Sequence, residues 1–228
     1  MASLRNTSRY MWLDGYKAVR IFWSILLLIN VIHLILQFNW PHLVKDNSGN
    51  FFSANYGAIG IFILVSGLVT ATVTFPLLLS LGSTRKNYVS ATIVYGILSS
   101  AGMALVQSLV AHGGTALLKL WDIAPAGQLT PFLSLWYIQT VSYLLIFLLF
   151  VVLGMVFYRF GTLSGIITIA AYIAVMAWIS SVSENVDFME KNFSGLAHLQ
   201  AAHYLLAFSV LAAGLLWLIT RKAPVRTY

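Results

Sequence analysis

The chain contains no cysteine, which removes disulfides, thiolate metal centres and cysteine nucleophiles from consideration. Charge is equally scarce. Only 8% of the 228 residues are charged, against roughly 25% in an ordinary soluble domain. Acids are the rarer sign, six against thirteen lysines and arginines. No His-Glu-x-x-His occurs and no apolar run holds a pair of carboxylates, so metalloproteolysis and aspartyl proteolysis within the membrane have no candidate residues. The glycine-rich phosphate loop of ATP-hydrolysing proteins is also missing, because Gly82-Ser83-Thr84-Arg85-Lys86 lacks its spacing and does not follow a strand. The expectation is that this chain is not itself an enzyme.

What fills the sequence instead is apolar surface, 60% of all residues. Runs of 18 or more apolar residues recur along the length, long enough to cross a hydrocarbon core of about 30 Å. The reading is an all-α polytopic membrane protein, one transmembrane domain over residues 1–228, with six spans near 21–38, 56–79, 91–111, 131–157, 162–181 and 199–220. Its first run is too long for a signal-peptide core and is kept as a span. Residues 1–19 mix Arg5, Arg9 and Lys17 with Met11, Trp12 and Tyr16, a pattern that suits an interfacial helix or a basic tail. A tight turn, Tyr158-Arg159-Phe160-Gly161, joins spans four and five, and acidic and apolar residues alternate over 183–195 as in a surface helix.

Cations set the orientation. Arg5, Arg9, Lys17, Arg20, Arg85, Lys86, Arg159, Arg221, Lys222 and Arg226 fall on one side of a six-span topology, and only Lys45, Lys119 and Lys191 on the other. Such a bias places both termini in the cytoplasm. The net charge of +7 lies beside apolar runs rather than in an aromatic-rich patch, so it reads as a topology signal and not as a nucleic-acid site.

Three groups of polar residues stand out. Ser80 to Tyr88 form a polar break between spans two and three, with adjacent cations Arg85 and Lys86. Asn30, His33 and Gln37 share one face of span one, and Ser66, Thr70 and Thr74 one face of span two. Two such stripes can line a common cavity or simply make interhelical hydrogen bonds. Thr168, Tyr172 and Met176 form a third, weaker face on span five. His42, His112, His198 and His203 fall toward the outer side without ligand-type spacing, and no metal site is expected.

The stretch Phe75-Pro76-Leu77-Leu78-Leu79-Ser80-Leu81-Gly82-Ser83-Thr84-Arg85-Lys86-Asn87-Tyr88 resembles the segment after the second span in small permease subunits of type-2 ATP-binding-cassette (ABC) exporters. That resemblance implies an amphipathic N-terminal elbow helix at residues 6–18 and a coupling helix at 81–90. It also implies short helices in the last outer loop, at 183–195. Gly82, Ser83, Thr84, Arg85, Lys86 and Tyr88 would engage separate cytoplasmic ATPase subunits, which would carry the ATP and Mg. A second permease copy, identical or a paralogue, would complete a dimer. The resemblance further implies export by a multi-pass protein of the cell membrane, here of a bacterial plasma membrane; the scarcity of charge suits an amphipathic peptide, lipopeptide or lipid, and the polar stripes suggest a path near Asn30, His33, Gln37, Ser66, Thr70 and Thr74. The competing expectation is a stand-alone immunity or sensor protein that binds a peptide toxin without transport.

Overall fold

A computed structural model describes residues 4–39, 51–121, 130–170, 174 and 197–223. The described residues are helical with no strand. The helices are α1 (Leu4–Asn39), α2 (Phe51–Val69), a π turn (Thr70–Thr74), α3 (Phe75–Ser80), α4 (Arg85–Leu120), α5 (Phe132–Phe160), α6 (162–170) and α7 (Ala197–Thr220). Five stretches among the described residues are long and apolar enough to cross a bilayer: Leu4–Asn39, Asn55–Ser80, Arg85–Leu120, Phe132–Phe160 and Ala202–Thr220. The chain is a multi-pass membrane protein.

Helix α5 is the axis of the bundle, with α2, α4 and α7 packed around it and α1 leaning on α4. Close approach of α5 to its neighbours depends on missing side chains. A Cβ at Gly154 would stand 2.7 Å from the Cβ of Ala71, and one at Gly67 would stand 2.7 Å from the Phe147 carbonyl oxygen. Without hydrophobic driving force between helices in lipid, such backbone proximity supplies the dispersion contacts that hold a bundle. Phe147, Val151 and Met155 on α5 and Ile59, Ile63 and Ala71 from the second span are fully buried at this contact.

Among the described residues, Arg85 and Arg159 lie at one end of the bundle, hereafter the basic end, and Lys119 at the far end of α4; Lys45, Lys191 and Arg226 lie outside the described residues. Thr7 of α1 meets Ser83 through their hydroxyls at 3.1 Å, while Arg85 and Arg159 both reach the C-terminus of α7. Helix α5 therefore ends at the basic end and α7 begins at the opposite one, so the chain between them joins opposite ends of the bundle. Its first part, 162–170, is helical and folds back on α5, with Gly165 seated on the Phe157 ring. Gly161 closes α5 with φ of +88°, a conformation that favours glycine, and this makes the tight α5–α6 turn expected from the sequence. The rest of the expected fifth span, the 183–195 helix, His42, Tyr172 and Met176 lie outside the described residues.

Two expected helices merge into longer ones. The N-terminal segment is helical, but it continues into span one as a single helix of 36 residues, about 54 Å long. No proline interrupts it, and Thr7, Met11 and Gly15 pack along Ser83 and Tyr95, holding the segment upright beside α4. The segment expected as a coupling helix is likewise not separate. A turn at 81–84 leads straight into α4, another 36-residue helix free of proline. Helix α4 also runs past the expected end of span three, through His112, to Leu120.

Candidate functional site

At the basic end, the turn after α3 is built from local rules. Ser83 N–H donates to Leu78 O (2.9 Å) and Gly82 N–H to Leu79 O (3.0 Å), with Gly82 at φ +79°, the paired bonds of a Schellman stop. Thr84 then caps α4, its hydroxyl accepting from Asn87 N–H at 3.2 Å. Stop and start are separated by four residues, which fixes the second and third spans as an antiparallel pair.

The six residues expected to meet an ATPase divide sharply. Ser83 is buried against Thr7. Tyr88 is fully buried, its hydroxyl donating to Thr70 O at 2.9 Å and its ring edge-on to Phe75 at 4.8 Å. Arg85 donates from Nη2 to Ala223 O (2.9 Å) and from Nη1 to Arg221 O (3.5 Å). Arg159 donates to Ile219 O at 3.1 Å, so two guanidinium groups satisfy carbonyls at the end of α7 where the helix dipole is negative. Gly82 and Lys86, with Leu81, are the exposed tip, and Thr84 is half-buried.

Tyr88 connects this turn to an irregularity in the second span. The π turn Thr70–Thr74 is followed by Phe75 and Pro76, and Phe75 N–H bonds back to Thr70 O. That carbonyl also accepts from the Tyr88 hydroxyl. A wide turn next to a proline is a place where a helix can change its bend, and such turns cluster at functional positions. Ser83, Arg85 and Tyr88 thus tie the turn to α1, α7 and the second span.

The two polar stripes do not face a common cavity. Asn30 is buried; its Nδ2 donates to Leu26 O (2.6 Å), and its amide exchanges hydrogen bonds with Asn55 (3.3 and 3.1 Å). Asn55 Nδ2 also donates to Gln107 Oε1 at 3.2 Å. Tyr56 lies beside Gln107 and Gln139, and Tyr143 beside Tyr56. The hydrogen bonds form a neutral amide network drawn from α1, α2 and α4, and on its α5 side the Gln139 amide and the Tyr143 hydroxyl are buried without a hydrogen-bond partner among the described residues. His33 is half-buried and Gln37 buried on the same face of α1. The network was legible only as lone amides within apolar runs. Losing its central member, Asn55→Leu, is expected to destabilise the bundle by about 0.5–2 kcal/mol. Asn30→Leu should cost less, because Asn55 retains Gln107; thermal unfolding in detergent compares the two.

The hydroxyl stripe lies closer to the basic end. Ser66, Thr70 and Thr74 line a groove of about 320 Å³ between α1 and the second span, opposite Met11, Asp14, Gly15 and Ala18, with Tyr95 and Phe62 also in its wall. Thr168 lies in a separate apolar groove against α5, its hydroxyl donating to Ser164 O at 2.8 Å. His112 rests on Phe132 and His203 on Tyr137, and no group of three metal-ligating side chains occurs among the described residues.

Neither the curated proteins nor the solved structures include a match to this chain. A family model described as "Protein of unknown function (DUF4052)" matches residues 4–226, nearly the whole length, and the chain belongs to that family.

Proposed function

We propose that this protein is the membrane-spanning subunit of an ATP-driven exporter of amphipathic molecules, with its basic end in the cytoplasm and separate ATPase subunits bound at the turn between α3 and α4. The observation that carries the reading is the wiring of that turn: Ser83 to Thr7 of α1, Tyr88 to the π turn, and Arg85 to the end of α7. A push on one exposed tip would reach three spans at once, and the π turn beside Pro76 offers a bend that can respond. The ATPase-facing residues are then Leu81, Gly82 and Lys86, while Ser83, Arg85 and Tyr88 transmit rather than touch. The groove lined by Ser66, Thr70 and Thr74, close to the moving segment, is the place for substrate.

Pull-down from the native membrane tests this. Tagged protein is expected to retain an ATPase subunit, and Leu81→Asp with Lys86→Glu is expected to release it while leaving the thermal stability of the purified chain within about 0.5 kcal/mol, as for exposed substitutions generally. Absence of any ATPase with the native chain would exclude the exporter reading.

A further inference from the structure

Asp14 is the only carboxylate among the described residues, and it lines the α1 groove wall. Met11, Asp14, Gly15 and Ala18 recur at helical spacing, so the acid shares its face with two small residues; the Tyr95 hydroxyl packs onto Gly15, and Ala18 leaves the room beside the acid. Arg5, Arg9, Lys17 and Arg20 belong to the same helix, yet none of them lines the groove. Across from Asp14 are three hydroxyls. Thr70 spends its proton on Ser66 O at 2.7 Å, which leaves its oxygen as an acceptor. Phe62, Val65, Val69 and Met11 supply apolar wall. The groove therefore offers one negative charge, hydroxyl oxygens, an aromatic face and aliphatic surface.

We propose that this groove binds the ammonium head of an amine-bearing amphiphile, with Asp14 as counter-charge and the apolar wall against the first methylenes of its chain. An ammonium brings three donors and no acceptor, which suits a carboxylate beside hydroxyl oxygens, and its charge is favoured over an aromatic face. An anionic head would meet Asp14 instead of a cation. The assignment of this ligand as cargo rests on the export reading; its binding does not.

Photolabelling tests the site. The purified full chain in phosphatidylcholine nanodiscs is exposed to a diazirine-bearing dodecylamine or to the matching dodecanol, and adducts are mapped by peptide mass spectrometry. The amine is expected to label residues 11–18 and 62–74 selectively, Asp14→Asn to lower that labelling about tenfold, the effect of losing one charge-assisted contact, and Asp14→Glu to retain most of it. Ala18→Trp, which fills the groove without touching the charge, should suppress labelling as well. Nanodiscs of phosphatidylethanolamine distinguish the source: suppression there identifies an aminolipid head as the occupant, and persistence a free amphiphile. Equal labelling by amine and alcohol, or an undiminished signal in Asp14→Asn, would overturn the proposal. No ATPase is needed for this measurement, so a missing ATPase would remove the export reading and leave the site standing. Loss of amine preference would do the reverse.

Discussion

Gly154→Ala is expected to destabilise the bundle by about 1–3 kcal/mol, although alanine is the better helix former. The added methyl would lie 2.7 Å from the Cβ of Ala71 and 3.3 Å from the Leu68 carbonyl oxygen, and the backbone cannot swing aside. Gly154→Leu should prevent recovery of monodisperse protein altogether. Two controls give this its specificity. Ala71→Gly removes the opposing carbon and should restore much of what Gly154→Ala loses. Gly102→Ala, on α4 with nothing within 4 Å of the new carbon, should leave stability unchanged or raise it. Thermal unfolding in one detergent compares Gly154→Ala, Gly154→Ala with Ala71→Gly, and Gly102→Ala, and size-exclusion chromatography reads Gly154→Leu. A Gly154→Ala chain as stable as the parent would mean that α2 and α5 do not pack as described.

Arg85→Glu is the second large effect. The guanidinium now bonds carbonyls of Ala223 and Arg221, and a carboxylate in its place would face those same oxygens and the negative end of α7. Charge-assisted bonds of this kind and the reversed terminal charge together amount to about 2–4 kcal/mol. The end of α7 should detach from the turn, seen as proteolytic cleavage near Arg221 at protease levels that spare the parent chain. Arg85→Lys, which keeps the charge but not the planar fork, should fall between them. This prediction also separates structure from coupling: loss of activity in Arg85→Glu says little about an ATPase, whereas loss in Lys86→Glu, on an exposed side chain, does.

Much of the architecture could be read from the sequence because lipid imposes long apolar helices and the cations mark their ends. Spans two and four, the α5–α6 turn at Gly161 and the stop at Gly82 all follow from local signals that tertiary packing does not override. Helix ends were less legible. No proline falls in residues 4–39 or 85–120, so polar residues such as Arg9 or His112 extend the helix past the hydrocarbon, and hydropathy sees only the apolar middle. Partners were the least legible. The spacing of Asn30, His33 and Gln37 shows a shared face, but that Asn30 pairs with Asn55 and Gln107 depends on which helices become neighbours. The same holds for Arg85: adjacent cations between spans read equally well as a docking surface, and only the position of α7 reveals that one of the two is already engaged. Asp14 acquires its meaning only from the placement of α1 opposite Ser66, Thr70 and Thr74.

The central claim, that the exposed tip of the basic end receives a cytoplasmic ATPase, is tested most directly by a photoreactive side chain placed at Leu81 in the otherwise native complex. Leu81 is exposed, forms no part of the bonds made by Ser83, Arg85 or Tyr88, and sits beside the glycine that turns the chain. A crosslink to a nucleotide-binding subunit, identified by mass spectrometry, is the expected result. The same group placed at Leu133, exposed at the opposite end of the bundle, should give none. A crosslink to the ATPase from Leu133 and not from Leu81, or none from Leu81 while an ATPase co-purifies, would contradict it.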